Sequence, residues 1–179
     1  MDSDCLIKLT KARAKGDVSV CIDVIIPEIV KTETVDEGKA YGYPDHLEIE
    51  KDIKTGKIKV ESIHVTPEIR NIAETLRLKG GEVDVYSMFR KGGFVAIASD
   101  DQKFIRKMQE MDIPCFTPSA LIILTWRKGR IDKERALELL ESIRSMISDE
   151  EYTISKLEIE KGGEPIEHSE NHTHPKEPY

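Results

Sequence analysis

Apolar positions along the chain alternate between helical spacing and short continuous runs. Leu6 to Ala14 has helical spacing and is expected to stop at Gly16. Val18 to Ile26 is rich in β-branched residues and halts at Pro27, so part of it reads as a strand. Pro27 suits the first turn of a helix running towards Gly38, and Pro44 opens another to about Thr55. Ile58 to Val65 reads as a second strand. Thr66-Pro67-Glu68 then has the residues of a helix start: a capping hydroxyl, a proline, and an acid at the positive end of the dipole. That helix is expected to end near Gly80-Gly81, and Glu82 to Arg90 to form the next. Phe94 to Ala98 is short and wholly apolar, as for a strand buried on both faces. Asp100–Met111, Ser119–Trp126 and Ile131–Ile147 read as helices, with a short strand over Ile113–Phe116. Strands separated by helices predict an α/β fold: a three-layer α/β/α sandwich around a central parallel sheet.

Length and charge narrow this little further. The 179 residues suit one domain, placed at 1–147. Residues 148–179 are expected to be an acidic extension, helical or extended, and from about Lys161 a disordered tail rich in proline and histidine. No apolar run nears the ~20 residues of a membrane span, so no membrane partner is expected and the cytoplasm is the expected location. Cys5, Cys21 and Cys115 are too few and scattered for a disulfide framework or zinc knuckle and read as reduced, buried thiols. Twenty-seven basic against 34 acidic side chains give −7, which argues against a broad basic surface for duplex DNA. It leaves open a metal-dependent nuclease, which concentrates carboxylates at its own site.

The distinctive residues are acids in turns and at strand ends: Asp2 and Asp4, Glu33, Glu82 and Asp84, and the pair Asp100-Asp101 behind the Phe94–Ala98 run. In an open α/β sheet ligands bind beyond the carboxyl ends of the strands. Carboxylates gathered there repel one another unless a cation joins them, and hard oxygen donors suit Mg²⁺ or Mn²⁺. Each acid also has a plainer reading: Glu82 as a first-turn acid, Asp100-Asp101 as the cap of the next helix. Only the joint pattern favours metal.

These pieces resemble the PIN-domain family of small metal-dependent ribonucleases. Asp2-Ser3-Asp4-Cys5-Leu6-Ile7 is similar to its opening segment, and Pro27 through Val30 to Glu33 to its Pro-x-x-Val-x-x-Glu segment. Gly81-Glu82-Val83-Asp84 is similar to its third acidic position, and Ser99-Asp100-Asp101 to its Ser-Asp-Asp turn. Ile113-Pro114 and Gly129-Arg130-Ile131 match its ending, so the resemblance spans about 1–147. It implies one or two Mg²⁺ or Mn²⁺ ions, with Asp2, Glu33, Asp84 and Asp101 as catalytic ligands. Asp100 and Glu82 are their close alternates, and Ser99 an orienting hydroxyl. It also implies an RNA substrate cut as by an endonuclease, either a toxin with an antitoxin-like partner or a stand-alone enzyme, and a homodimer. The family's first Asp ends an apolar strand, whereas only Met1 precedes Asp2 here. The resemblance therefore implies that translation starts earlier or that the central first strand is missing or truncated.

Other residues compete for notice. His168, His172 and His174 form a cluster that suits a flexible tail better than a metal site, and His64 reads as structural or exposed. Lys8, Lys11, Arg13 and Lys15, and Lys103, Arg106 and Lys107, either line an RNA groove or form solvated helix faces. Tyr41, Tyr43 and Tyr86 are weak candidates for base stacking, and Trp126 for the core or a dimer face. Two alternatives stay open: a catalytically inactive PIN-like module that binds RNA or protein, and a haloacid-dehalogenase-like phosphatase using Asp2-x-Asp4. The second lacks the apolar strand before its nucleophile. A phospho-receiver domain likewise lacks an obvious lysine after a strand.

Overall fold

A computed structural model describes residues 1–162; the histidine cluster and the expected tail lie outside them. Asp2 caps helix α1 (Ser3–Lys11) by accepting the Cys5 N–H, and the helix ends before Arg13 turns left-handed at φ 56°. Gly16 is no stop: it lies inside α2 (Lys15–Cys21), which also takes Val18 and Val20 from the expected strand. Val18 is buried against the core there, so packing overrides β propensity. Only Val24–Pro27 is extended, as β1.

Pro27 caps α3 (Glu28–Lys31), which runs through a π-helical turn at Thr32–Asp36 into α4 (Glu37–Tyr41) and closes on Gly42 at φ 73°. Next come α5 (Asp45–Lys54), β2 (Ile58–Glu61) and α6 (Pro67–Thr75), whose Thr66 cap accepts the Ile69 N–H. The second strand is shorter than expected, so the exposed His64 falls outside it. Helix α7 (Gly81–Lys91) leads to β3, which is only Ile97–Ala98. Then follow α8 (Gln102–Gln109), β4 (Cys115–Phe116), α9 (Pro118–Arg127), α10 (Lys133–Ile143) and α11 (Asp149–Lys161).

All strand pairing is parallel, but the sheet is small and split. β1 pairs with β2, Val24 opposite Ile58, and β3 pairs with β4, Ile97 opposite Cys115. Among the described residues, Met1 and Asp2 stand between the two ladders. The Met1 nitrogen donates to Ile25 O at 3.0 Å, and the Asp2 N–H donates to Ala98 O at 2.9 Å.

Successive strand residues face opposite sides. Ile97 joins a cluster with Val24, Ile26, Ile58, Tyr86 and Phe104, and Ala98 one with Leu9, Ile122, Trp126 and Leu140. Helical layers thus cover both sides of the strands, as an α/β sandwich requires. Trp126 is core. Tyr152 and Ile159 of α11 are buried in the same cluster as Leu140 and Trp126, so the acidic stretch after Ser148 adds a packed helix. All three cysteines are free; Cys5 is buried, while Cys21 and Cys115 are half-buried. Among the described residues no helix is long and apolar enough to cross a membrane.

Candidate metal centre

Three of the acids singled out in the sequence stand about α1: Asp2 caps it, Glu33 accepts from Ser3 and Asp100 pairs with Lys8. Asp2 is held by three neighbours: its backbone N–H by Ala98 O, its side chain by the Cys5 N–H at 2.9 Å and by Ser99. Burial pushes its carboxyl above the ordinary value of 3.8, against the opposing pull of the Ser99 and Cys5 hydrogen bonds. Ser99 is fully buried, and its hydroxyl also accepts the Asp101 N–H at 3.1 Å. It therefore ties the first acid to the Asp-Asp turn.

That turn splits its two carboxylates. Asp101 is exposed and caps α8, accepting the N–H groups of Lys103 at 2.7 Å and Phe104 at 3.1 Å. Asp100 is half-buried and forms an ion pair with Lys8, one turn further along α1. Burial raises its carboxyl too, with Lys8 pulling the other way.

Glu33 sits in the π-helical turn that follows β1, a local irregularity that often accompanies functional sites. The turn presents its carboxylate to the Ser3 hydroxyl. A Cβ built on Gly81 would lie 3.7 Å from both Glu33 oxygens, so Glu33 also abuts the N-terminus of α7. Asp84, one turn along α7, is pushed up by burial. Glu82 turns back to accept the Lys79 N–H at 2.9 Å and stands 3.8 Å from Lys107. The plain reading of Glu82 as a first-turn acid is the one its contacts fit.

Among the described residues no three Asp, Glu, His or Cys side chains converge as a metal cluster. Lys8 draws Asp100 aside and Ser3 draws Glu33. The donors fit a hard divalent cation in kind, since all are carboxylate oxygens and Asp2, Asp84 and Asp100 are each short of solvent. A buried carboxylate without a cation is held at a cost, and a cation returns it. The sequence pattern did not single out Ser3 as a partner or Lys8 as the counter-charge. The capping spacing of Asp101 was its only clue that the pair would divide.

Two lysines of the basic stretch from Lys8 to Lys15 are engaged by acids of α5: Lys11 of α1 pairs with Asp45 at 3.7 Å, and the buried Lys15 of α2 with Asp52 at 3.0 Å. On α8, Lys103 and Arg106 are exposed. Tyr41 and Tyr43 are exposed with ring centroids 6.1 Å apart, whereas Tyr86 is fully buried and out of reach of a base.

The family model described as DUF3368: PIN domain matches residues 1–160. No curated protein and no solved structure gives a match. The matched span runs through Asp2-x-Asp4, which sets that pair in the PIN framework and not in a dehalogenase-like phosphatase. With nearly the whole described chain covered, this protein belongs to the PIN-domain family.

Proposed function

We propose that the chain hydrolyses RNA phosphodiesters with Mg²⁺ or Mn²⁺ held by Asp2, Glu33, Asp84 and Asp100. The observation that carries this reading is that acids from three parts of the sequence meet α1: Asp2 at its cap, Glu33 on Ser3 and Asp100 on Lys8, with Gly81 of α7 beside Glu33. PIN domains are typically ribonucleases, which supports the reaction class. Bound there, the ion would neutralise charge developing on the phosphoryl oxygens and acidify an attacking water. The protein's own part is positioning. Ser99 fixes Asp2, Ser3 holds Glu33 in its turn, and Lys8 holds Asp100 until a cation or a substrate phosphate competes for one of the pair. Lys103 and Arg106 on α8 and the Tyr41–Tyr43 pair suit backbone contacts and base stacking on a single strand. An antitoxin-like partner and a homodimer belong to the same reading.

Isothermal titration with Mn²⁺ tests it, on wild type, Asp100→Asn and Asp101→Asn. Binding that Asp100→Asn weakens at least about tenfold, with RNA cleavage lost in parallel, is the expected result. Asp101→Asn, which preserves the cap, is expected to bind nearly as wild type; the reverse order would make Asp101 the ligand.

A second reading rests on the contacts that already satisfy two of the acids. With Asp100 on Lys8 and Glu33 on Ser3, the chain is a PIN-like module that binds RNA or protein without cutting. Saturable RNA binding with no Mn²⁺ uptake and no cleavage selects it.

A further inference from the structure

A cavity of about 440 Å³ lies between α9 and α11, and none of the candidate metal ligands lines it. Its size is that of a small-molecule site. Helix α11 turns one stripe towards it: Glu151, Ser155 and Glu158, at i, i+4 and i+7. Ile123 of α9 and Ile154 of α11 supply apolar surface. No lysine or arginine is among the residues described around it.

Three features define what fits. The first is a pair of half-buried carboxylates two turns apart. Glu151 accepts the Ser119 hydroxyl at 2.6 Å through one oxygen, and no cation pairs with it among the described residues. Glu158 takes the exposed Arg127 at 2.8 Å, so a cation already suits that end, and an exposed pair yields readily to a competitor. The second feature is Ser155, midway between them. It is only 4% exposed, yet its hydroxyl has no hydrogen-bond partner among the described residues. A buried hydroxyl left alone is costly, so it calls for a polar group from a ligand. The third is spacing: Glu151 to Ser155 spans about 6 Å of helix axis and Ser155 to Glu158 about 4.5 Å. These match the four-carbon and three-carbon segments of spermidine, whose methylenes would lie on Ile123 and Ile154. A phosphate is repelled by the acids, and a divalent metal ion needs its oxygens gathered at about 2.0–2.6 Å, not strung along two turns.

We propose that this cavity binds a linear aliphatic triamine, its terminal ammonium groups on Glu151 and Glu158 and its central one on the Ser155 hydroxyl. The terminal group at Glu158 displaces Arg127 into solvent. Glu151 keeps its Ser119 bond and offers its second oxygen. The site uses none of the candidate metal ligands and is independent of the nuclease reading.

The test is isothermal titration of the full chain with spermidine at fixed ionic strength, and one saturable site is expected. Putrescine, the four-carbon diamine, reaches Glu151 and Ser155 but not Glu158, and is expected to bind about tenfold more weakly. Glu151→Gln keeps an acceptor for Ser119 and removes the charge, which should weaken spermidine about tenfold. Ser155→Ala, which suits a helix, should weaken it about threefold. Absence of saturable binding, or putrescine binding as tightly as spermidine, overturns the proposal; that comparison is made on the unaltered chain and stands however the variants fold. Binding unchanged in variants that melt as wild type by circular dichroism overturns it too, because the amine then sits elsewhere on the acidic surface.

Discussion

At Asp2 a helix cap and a buried charge meet in one side chain. The cap needs an oxygen acceptor, which Asn supplies as well as Asp; only the cation needs the charge. Burial raises the Asp2 carboxyl above 3.8, so the folded chain holds that proton more tightly than the unfolded one. The resulting stability is fully present below pH 3.8 and is lost as pH rises through the folded-state value. At pH 7 the charge therefore works against folding. Asp2→Asn is expected to melt above wild type at pH 7, with the gap closing towards about pH 3.5, as read by circular dichroism. If Asp2 holds the cation, the same variant loses Mn²⁺ binding and cleavage, so stability and activity move in opposite directions. A variant that melts lower at pH 7 would show that the carboxylate is stabilised by its neighbours after all. Lys8 sets a companion case. Lys8→Met keeps the aliphatic stem and frees Asp100, and titration should show Mn²⁺ binding about fivefold tighter, the equivalent of about 1 kcal/mol for a partly exposed pair. The sequence proposes these acids from their expected places in turns, at helix starts and behind the Phe94–Ala98 run, but it does not point to their partners. Ser3 meets Glu33 across 30 residues and Lys8 meets Asp100 across 92, and no local pattern carries such a contact.

Elements are read from the sequence best where punctuation is strong. Thr66-Pro67 caps α6 and Thr117-Pro118 caps α9, each with a threonine oxygen accepting a backbone N–H. Where punctuation is weak, packing decides. Val18-Ser-Val-Cys looks like strand yet forms α2, because a helix there buries Val18 beside Ala14 and Leu9. The π turn at Thr32–Asp36 left no mark in the spacing at all, since one extra residue in a turn hardly disturbs the apolar period. Its consequence falls on α7. The missing side chain of Gly81 leaves space beside Glu33, and a methyl there would make ordinary contact at 3.7 Å without clash. Gly81→Ala is thus expected to keep the fold, gaining up to about 0.5–1 kcal/mol from helix propensity. It should weaken Mn²⁺ binding several-fold by crowding the carboxylate. Denaturant unfolding and titration on one preparation check both halves, and a destabilised Gly81→Ala would show that the first turn of α7 cannot accept a side chain.

For the whole molecule, the parallel pairing and the alternation of strands and helices follow from the sequence, while the extent of the core does not. Residues 149–161 carry a run of acids that reads as solvated, and their helix has little amphipathic character; its apolar contribution is two residues, Tyr152 and Ile159, seven positions apart. Those two seal the outer side of α9 and α10, where the Tyr152 hydroxyl donates to Glu141 at 2.6 Å and Arg144 stacks over its ring at 4.7 Å. The helix also reaches the site. Glu151 accepts the Ser119 hydroxyl at 2.6 Å, and its charge helps raise the Asp100 carboxyl. A chain ending at Ile147 therefore loses more than a tail. Fully burying each of the two side chains is worth about 1.5–3 kcal/mol, so the loss is about 4 kcal/mol. At 2–4 °C per kcal/mol for a chain of this size, the shortened protein is expected to melt roughly 10 °C below the full chain. Without Glu151 its Asp100 carboxyl should also ionise more readily, which shifts half-maximal Mn²⁺ binding to lower pH. A shortened chain that melts with the full one would place α11 outside the cooperative unit; one that melts lower but binds Mn²⁺ over an unchanged pH range would separate its packing role from any influence on the site.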